Sequence, residues 1–136
     1  MQTHMLINGR LVAGDGPAWT VLNPAEGSAL AQINEASEAQ VDTAVRAADQ
    51  AFDGWSQTSP KERSQALLAL ADTIEAHADE LARLESQNCG KPFSAALNDE
   101  IPAIADVFRY FAGAARCLGG SAAGEYLPGH TSMIRR

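Results

Sequence analysis

Gly90-Lys91-Pro92, with Cys89 just before it and Asp99, Glu100 and Asp106 shortly after, is where this chain concentrates groups able to do chemistry. A Gly-Lys pair suggests a phosphate cradle. That cradle needs an earlier glycine at fixed spacing and a hydroxyl after the lysine, and here the earlier glycine is missing and Pro92 replaces the hydroxyl. A nucleophilic Cys89 would need a neighbouring base and positive surroundings, yet it falls at the negative C-terminal end of a helix. His4, His77 and His130 are scattered, with no partners at metal-ligand spacing. The acidic trio is the remaining candidate, and Asp99 and Glu100 equally suit a helix start, where negative charge is favourable.

The elements that must position these residues are readable in order. Asn8-Gly9 supplies the two positive-φ positions of a tight hairpin turn between Leu6-Ile7 and Arg10-Val12. A second strand pair, Trp19 to Leu22 and Ala29 to Ile33, flanks the turn Asn23-Pro24-Ala25-Glu26-Gly27. Ser37 with Gln40, and Ser59-Pro60 with Glu62, are capping boxes that open the first two helices. The first carries the stripe Val41, Val45, Ala48 and Phe52, and Gly54 is expected to stop it. The second buries Leu67, Leu70, Ala71 and Ile74, and the third runs from about Asp79 to Cys89 and stops at Gly90.

A fourth helix is expected from near Asn98, with Ile101, Ile104, Ala105, Phe108, Phe111, Ala112 and Ala115 on its apolar stripe. Pro102 is tolerable only in a first turn, so this helix starts at Ile101 or bends there. Gly119-Gly120 ends it. Glu125 to Leu127 and His130 to Arg136 then read as two strand pieces around Pro128-Gly129. The expected fold is an α+β segment: β-hairpins, four helices and a terminal strand region.

At 136 residues, 46% hydrophobic and 20% charged, the composition is that of a soluble globular domain or part of one. The net charge of −7 opposes nucleic acid, whose phosphates need a basic face. Every apolar run is interrupted before reaching the about 20 residues of a membrane span. Met1 to Met5 carries no basic stretch leading into an apolar run, so a cytoplasmic location is expected, with Cys89 and Cys117 as free thiols.

The motifs in sequence resemble a known family. Ile7-Asn8-Gly9, Leu22-Asn23-Pro24-Ala25, Val41-Asp42 through Ala51-Phe52 to Trp55, Gly90-Lys91-Pro92 and Phe108-Arg109-Tyr110-Phe111-Ala112-Gly113 resemble, in order, the N-terminal segment of the aldehyde dehydrogenase superfamily. Asn98 to Pro102 and Ala112 to Leu118 look especially like bacterial gamma-aminobutyraldehyde dehydrogenases. The resemblance implies an enzyme that oxidises an aldehyde to an acid with NAD. Its catalytic cysteine, its catalytic glutamate and most of its cofactor site have no counterpart in this sequence, so the segment alone is expected to be inactive. On the same footing, residues 1–118 correspond to the front of the cofactor-binding domain and residues 119–136 to the start of the oligomerisation strands, which implies a homodimer or homotetramer.

The resemblance also implies two sites. Asp99 and Ala103 match positions lining the aldehyde tunnel, where Asp99 would meet a substrate ammonium, with Glu100 or Asp106 adding to the field. Val21 and Leu22, through backbone carbonyls, and Asn88 match a structural monovalent cation site. Asn88 offers a neutral oxygen where the family has a carboxylate, which removes one full charge of attraction. A contrasting reading of the chain is a truncated, non-catalytic helical module acting by association, because an unpaired terminal strand is a template for pairing.

Overall fold

The computed structural model describes residues 2–117, 119, 122–127 and 129–133. Three antiparallel hairpins and a run of helices make up the described chain. The hairpin of β1 (Met5–Ile7) and β2 (Arg10–Val12) turns through Asn8 and Gly9 at φ 49° and 72°. β3 (Ala18–Leu22) pairs with β4 (Ala29–Asn34), and the ladder slips register between Val21 and Leu22. β5 (Ala122–Leu127) pairs with β6 (His130–Met133). The expected continuation of that last strand through Ile134, Arg135 and Arg136 lies outside the described residues, as do Leu118, Gly120 and Pro128.

Both capping boxes form. The Ser37 hydroxyl accepts from the Gln40 backbone N–H while the Gln40 side chain accepts from the Ser37 N–H, and Ser59 and Glu62 do the same. They open α1 (Glu38–Ser56) and α2 (Pro60–Ala76). Gly54 does not stop α1, which continues through Trp55 to Ser56. An interior glycine costs only about 1 kcal/mol, and without a left-handed turn it is no terminator. α3 (Ala78–Cys89) does stop as expected, with Gly90 at φ 76°.

The fourth helix differs from expectation at its start. It begins at Phe93, six residues earlier than the acidic pair, with α4 (Phe93–Ala95), a π segment (Ala96–Glu100) and α5 (Ile101–Cys117) following one another without a break. The Ile101 N–H donates to the Ala96 carbonyl, the five-residue reach of a wide turn. Widening just ahead of Pro102 gives its ring room against the Asn98 carbonyl, which an α-helical turn would drive into it. Asp99 and Glu100 therefore sit inside a helical run instead of at its first turn.

The core is built from small residues. Ala71, Ala82, Ala96, Ala105 and Ala112 are buried with Ile7 and Ile101, and α2 and α5 lie against each other along most of their length. Leu70 and Phe111, expected inside, are exposed, and so are Val41, Val45 and Phe52 on the α1 stripe. The pattern identified the apolar faces correctly. It did not identify which of them this chain covers.

Candidate functional site

The corner after α3 is held from three sides. A Cβ on Gly90 would come 3.0 Å from Pro24 Cγ, so the corner rests on the β3–β4 turn, and its positive φ already favours glycine. The Gly90 N–H donates to the Ser86 carbonyl at 2.9 Å. Lys91 then reaches from the corner to both flanking helical runs. Its Nζ donates to Glu100 in the π segment and, at 3.4 Å, to Glu85 Oε1 on α3. Cys89 Sγ donates to the same Glu85 oxygen at 3.2 Å.

These contacts fix the charge states. The Glu100 carboxylate, aided by Glu85, holds the Lys91 ammonium above the ordinary lysine range. The Cys89 thiol and then Lys91 hold Glu85 below the ordinary carboxylate range. Glu85 and Glu100 both border a cleft of about 340 Å³ walled by Ile74, Leu81, Ile101 and Ile104, so the two carboxylates at its polar edge share one lysine. Sequence reasoning missed this group because Lys91 is six and nine residues from its partners, at no helical spacing.

Asp99 is exposed, and no hydrogen bond or ion pair reaches its carboxylate among the described residues. Ala103, also exposed, follows about one turn later across the π-to-α junction and lines a shallow apolar groove with Ile104, Val107 and Phe108. Glu100 borders the same groove. Its charge is committed to Lys91, which corrects the expectation that it adds negative field beside Asp99. Asp106 is exposed on α5.

The candidate cation residues lie on segments that the fold brings together. Val21 and Leu22 precede the Asn23-Pro24 turn on which Gly90 rests, and Asn88 lies two residues before Gly90. The register slip at Val21 and Leu22 interrupts the strand ladder at the two residues whose carbonyls are in question. Asn88 lines a small cleft with Leu81, Leu84 and Glu85, and Glu85 is already engaged by Cys89 and Lys91. The oxygens these three residues would offer, two backbone carbonyls and one side-chain amide, are all neutral.

A second ionic cluster lies farther along α5. Arg109 donates to Glu75 Oε1 and Oε2, both at 2.6 Å, and to Asp72 Oδ1 at 2.9 Å, tying α5 to α2. The arginine holds Glu75 below the ordinary carboxylate range. Cys89 and Cys117 are free and exposed. Among the described residues no three His, Cys, Asp or Glu converge as a metal site, and no helix is long and apolar enough to cross a membrane.

Comparison with known proteins decides what this frame is part of. Residues 11–136 match the profile described as the aldehyde dehydrogenase family. The chain belongs to the aldehyde dehydrogenase family. It is 41% identical over 121 residues to aldehyde dehydrogenase family 2 member B4 of Arabidopsis thaliana, covering 87% of this chain and 22% of that protein. It is 44% identical over 119 residues to betaine aldehyde dehydrogenase of Vibrio vulnificus, covering 87% of this chain and 24% of that protein. Among solved structures, PnpE from Pseudomonas sp. WBC-3 superposes with a TM-score of 0.86 at 42% identity, over 91% of this chain and 26% of that one. PnpE has also been solved with nicotinamide adenine dinucleotide bound. The chain thus spans about a quarter of the length of its aldehyde dehydrogenase relatives.

Proposed function

We propose that this chain is the front of an NAD-dependent aldehyde dehydrogenase acting on gamma-aminobutyraldehyde or a related aminoaldehyde. The observation that carries the substrate reading is Asp99: an exposed, unpaired carboxylate about one turn from Ala103, which itself lines an apolar groove. The groove suits a short alkyl chain. The carboxylate suits an ammonium at its far end, since a charge-assisted hydrogen bond contributes roughly 1.5 to 3 kcal/mol. The π turn carrying Asp99 adds support, because such turns recur at functional sites. Betaine aldehyde dehydrogenase, the Vibrio vulnificus relative, is named for a substrate that also bears a cationic nitrogen.

The chemistry itself belongs to residues this sequence does not contain, so residues 1–136 alone are expected to be inactive. Residues 1–118 are read as the front of the cofactor-binding domain and residues 119–136 as the first oligomerisation strands of a homodimer or homotetramer, in the cytoplasm. Family membership favours this enzyme reading over that of a helical module acting only by association.

In the complete enzyme, Asp99→Ala should raise KM for 4-aminobutanal about tenfold or more, equivalent to ~1.4 kcal/mol, and leave butanal unaffected. Equal effects on both aldehydes would remove Asp99 from the substrate. Val21, Leu22 and Asn88 are read as a monovalent cation site whose binding is weak or absent, because Asn88 stands where a carboxylate would add a charge. Replacing potassium by a bulky organic cation should leave thermal stability nearly unchanged, and a marked fall in Tm would overturn that assignment.

A further inference from the structure

Among the described residues, Glu100 is the one ionisable group lining the apolar groove that Ala103, Ile104, Val107 and Phe108 form. Left alone, its carboxylate would place a full negative charge on that wall. A unit charge 4 Å away shifts the binding of a singly charged ligand about fivefold in water, and less as salt screens it. The group that pairs with Glu100 therefore decides which charges the groove accepts.

That group is Lys91. It does not line the groove but reaches Glu100 from the corner after α3, where its backbone is constrained on both sides. Gly90 before it is in the left-handed region against Pro24, and Pro92 after it disfavours helical conformations at Lys91. The pair is partly sheltered, with 33% of the lysine and 35% of the glutamate side chain exposed. Glu85 accepts from the same ammonium at 3.4 Å, but it borders the neighbouring cleft and not this groove. With Lys91 in place the wall is close to neutral. The exposed Asp99 and Asp106 do not line it.

We infer that Lys91 is a specificity-determining residue: by pairing with Glu100 it keeps the groove wall neutral, so that the wall takes the alkyl part of an aminoaldehyde and leaves the ammonium to Asp99. The inference rests on the groove being the substrate's, as proposed above, and adds the residue that sets its charge.

The charge is read first in this chain itself, without substrate. The thiol of an Ala103→Cys variant, told apart from Cys89 and Cys117 by peptide mass, is modified by a cationic and an anionic methanethiosulfonate of similar size. Lys91→Met should raise the cation-to-anion rate ratio at least about threefold, and Glu100→Gln should lower it by as much. The two together restore the net charge and should return the ratio to within about twofold of its starting value. Lys91→Arg, which keeps the charge, should leave it within about twofold.

In the complete enzyme the same order should appear in kcat/KM for 4-aminobutanal divided by that for the anionic 4-oxobutanoate. If Lys91 merely held the π turn in place, both single variants would shift in one direction and the double variant would be no better. That result, or a thiol ratio unmoved by Lys91→Met, would overturn the inference, even where Asp99→Ala discriminates between 4-aminobutanal and butanal. Thiol ratios that move as expected beside a fixed kinetic ratio would instead overturn the groove as the substrate's, and the specificity role with it.

Discussion

Helices α1 and α2 both carry apolar stripes and complete capping boxes, and the stripe of α1 is the more sharply segregated, yet only α2 has a partner along its length. Ala71 on α2 is wholly buried, as are Ala105 and Ala112 on the α5 helix that lies against it, and Arg109 ties the two helices at their surface. On α1, Val45 and Phe52 stay more than 60% exposed, and the contacts of the helix are with the first hairpin. The difference teaches that periodicity and caps specify a helix and its apolar face, whereas burial depends on what else the chain supplies. α1 is a finished helix without a finished surrounding.

The largest effect should come from overfilling the covered interface. Ala71→Leu puts three extra carbons where no space is open and should destabilise the chain by about 1 to 3 kcal/mol, read by thermal or urea unfolding. A cost near zero would mean that α2 and α5 are not closely packed. Next comes the surface tie. Glu75 is held below the ordinary carboxylate range by Arg109, so its contribution is fully present above the ordinary value of about 4.3 and is lost as pH falls through the lower folded value. Arg109→Met should therefore lower Tm at neutral pH, and the gap to the unaltered chain should close as pH drops below about 4. A gap independent of pH would remove this ion pair from the α2–α5 contact. The smallest effect should be Val45→Ser on α1, within about 0.5 kcal/mol in this chain, because serine and valine have similar helix propensities and nothing packs there. If it cost as much as Ala71→Leu, the contrast between the two helices would collapse.

What could be read from the sequence was local. Asn8-Gly9, the two capping boxes and Gly90 act within four or five residues, and each appears in the structure where its chemistry requires. The fourth helix was misplaced at its start because the π segment breaks the 3.6-residue rhythm and Asn98-Asp99 imitates a cap. Gly54 was overread as a stop because glycine ends a helix only when the chain turns left-handed there. The candidate site was only half legible. Asp99 and Ala103 are singled out only by a resemblance, while the engagement of Glu100 by Lys91 depends on how a corner folds back across its neighbours. The Arg109 ties to Asp72 and Glu75 span more than thirty positions and follow no local rule.

The wide turn at Ala96–Glu100 also bears on how this part of the family can change in length. Losing one residue from an ordinary α-helix rotates everything downstream by about 100°, which would swing Ala105 and Ala112 away from α2. The π segment already holds a surplus residue, so a loss there can be absorbed by tightening to an α turn while both flanks keep their faces. Pro102 opposes that tightening, since its ring would again meet a carbonyl one turn back. A single-residue loss from this helix is therefore best borne at this place, and the proline favours the wide turn in this chain.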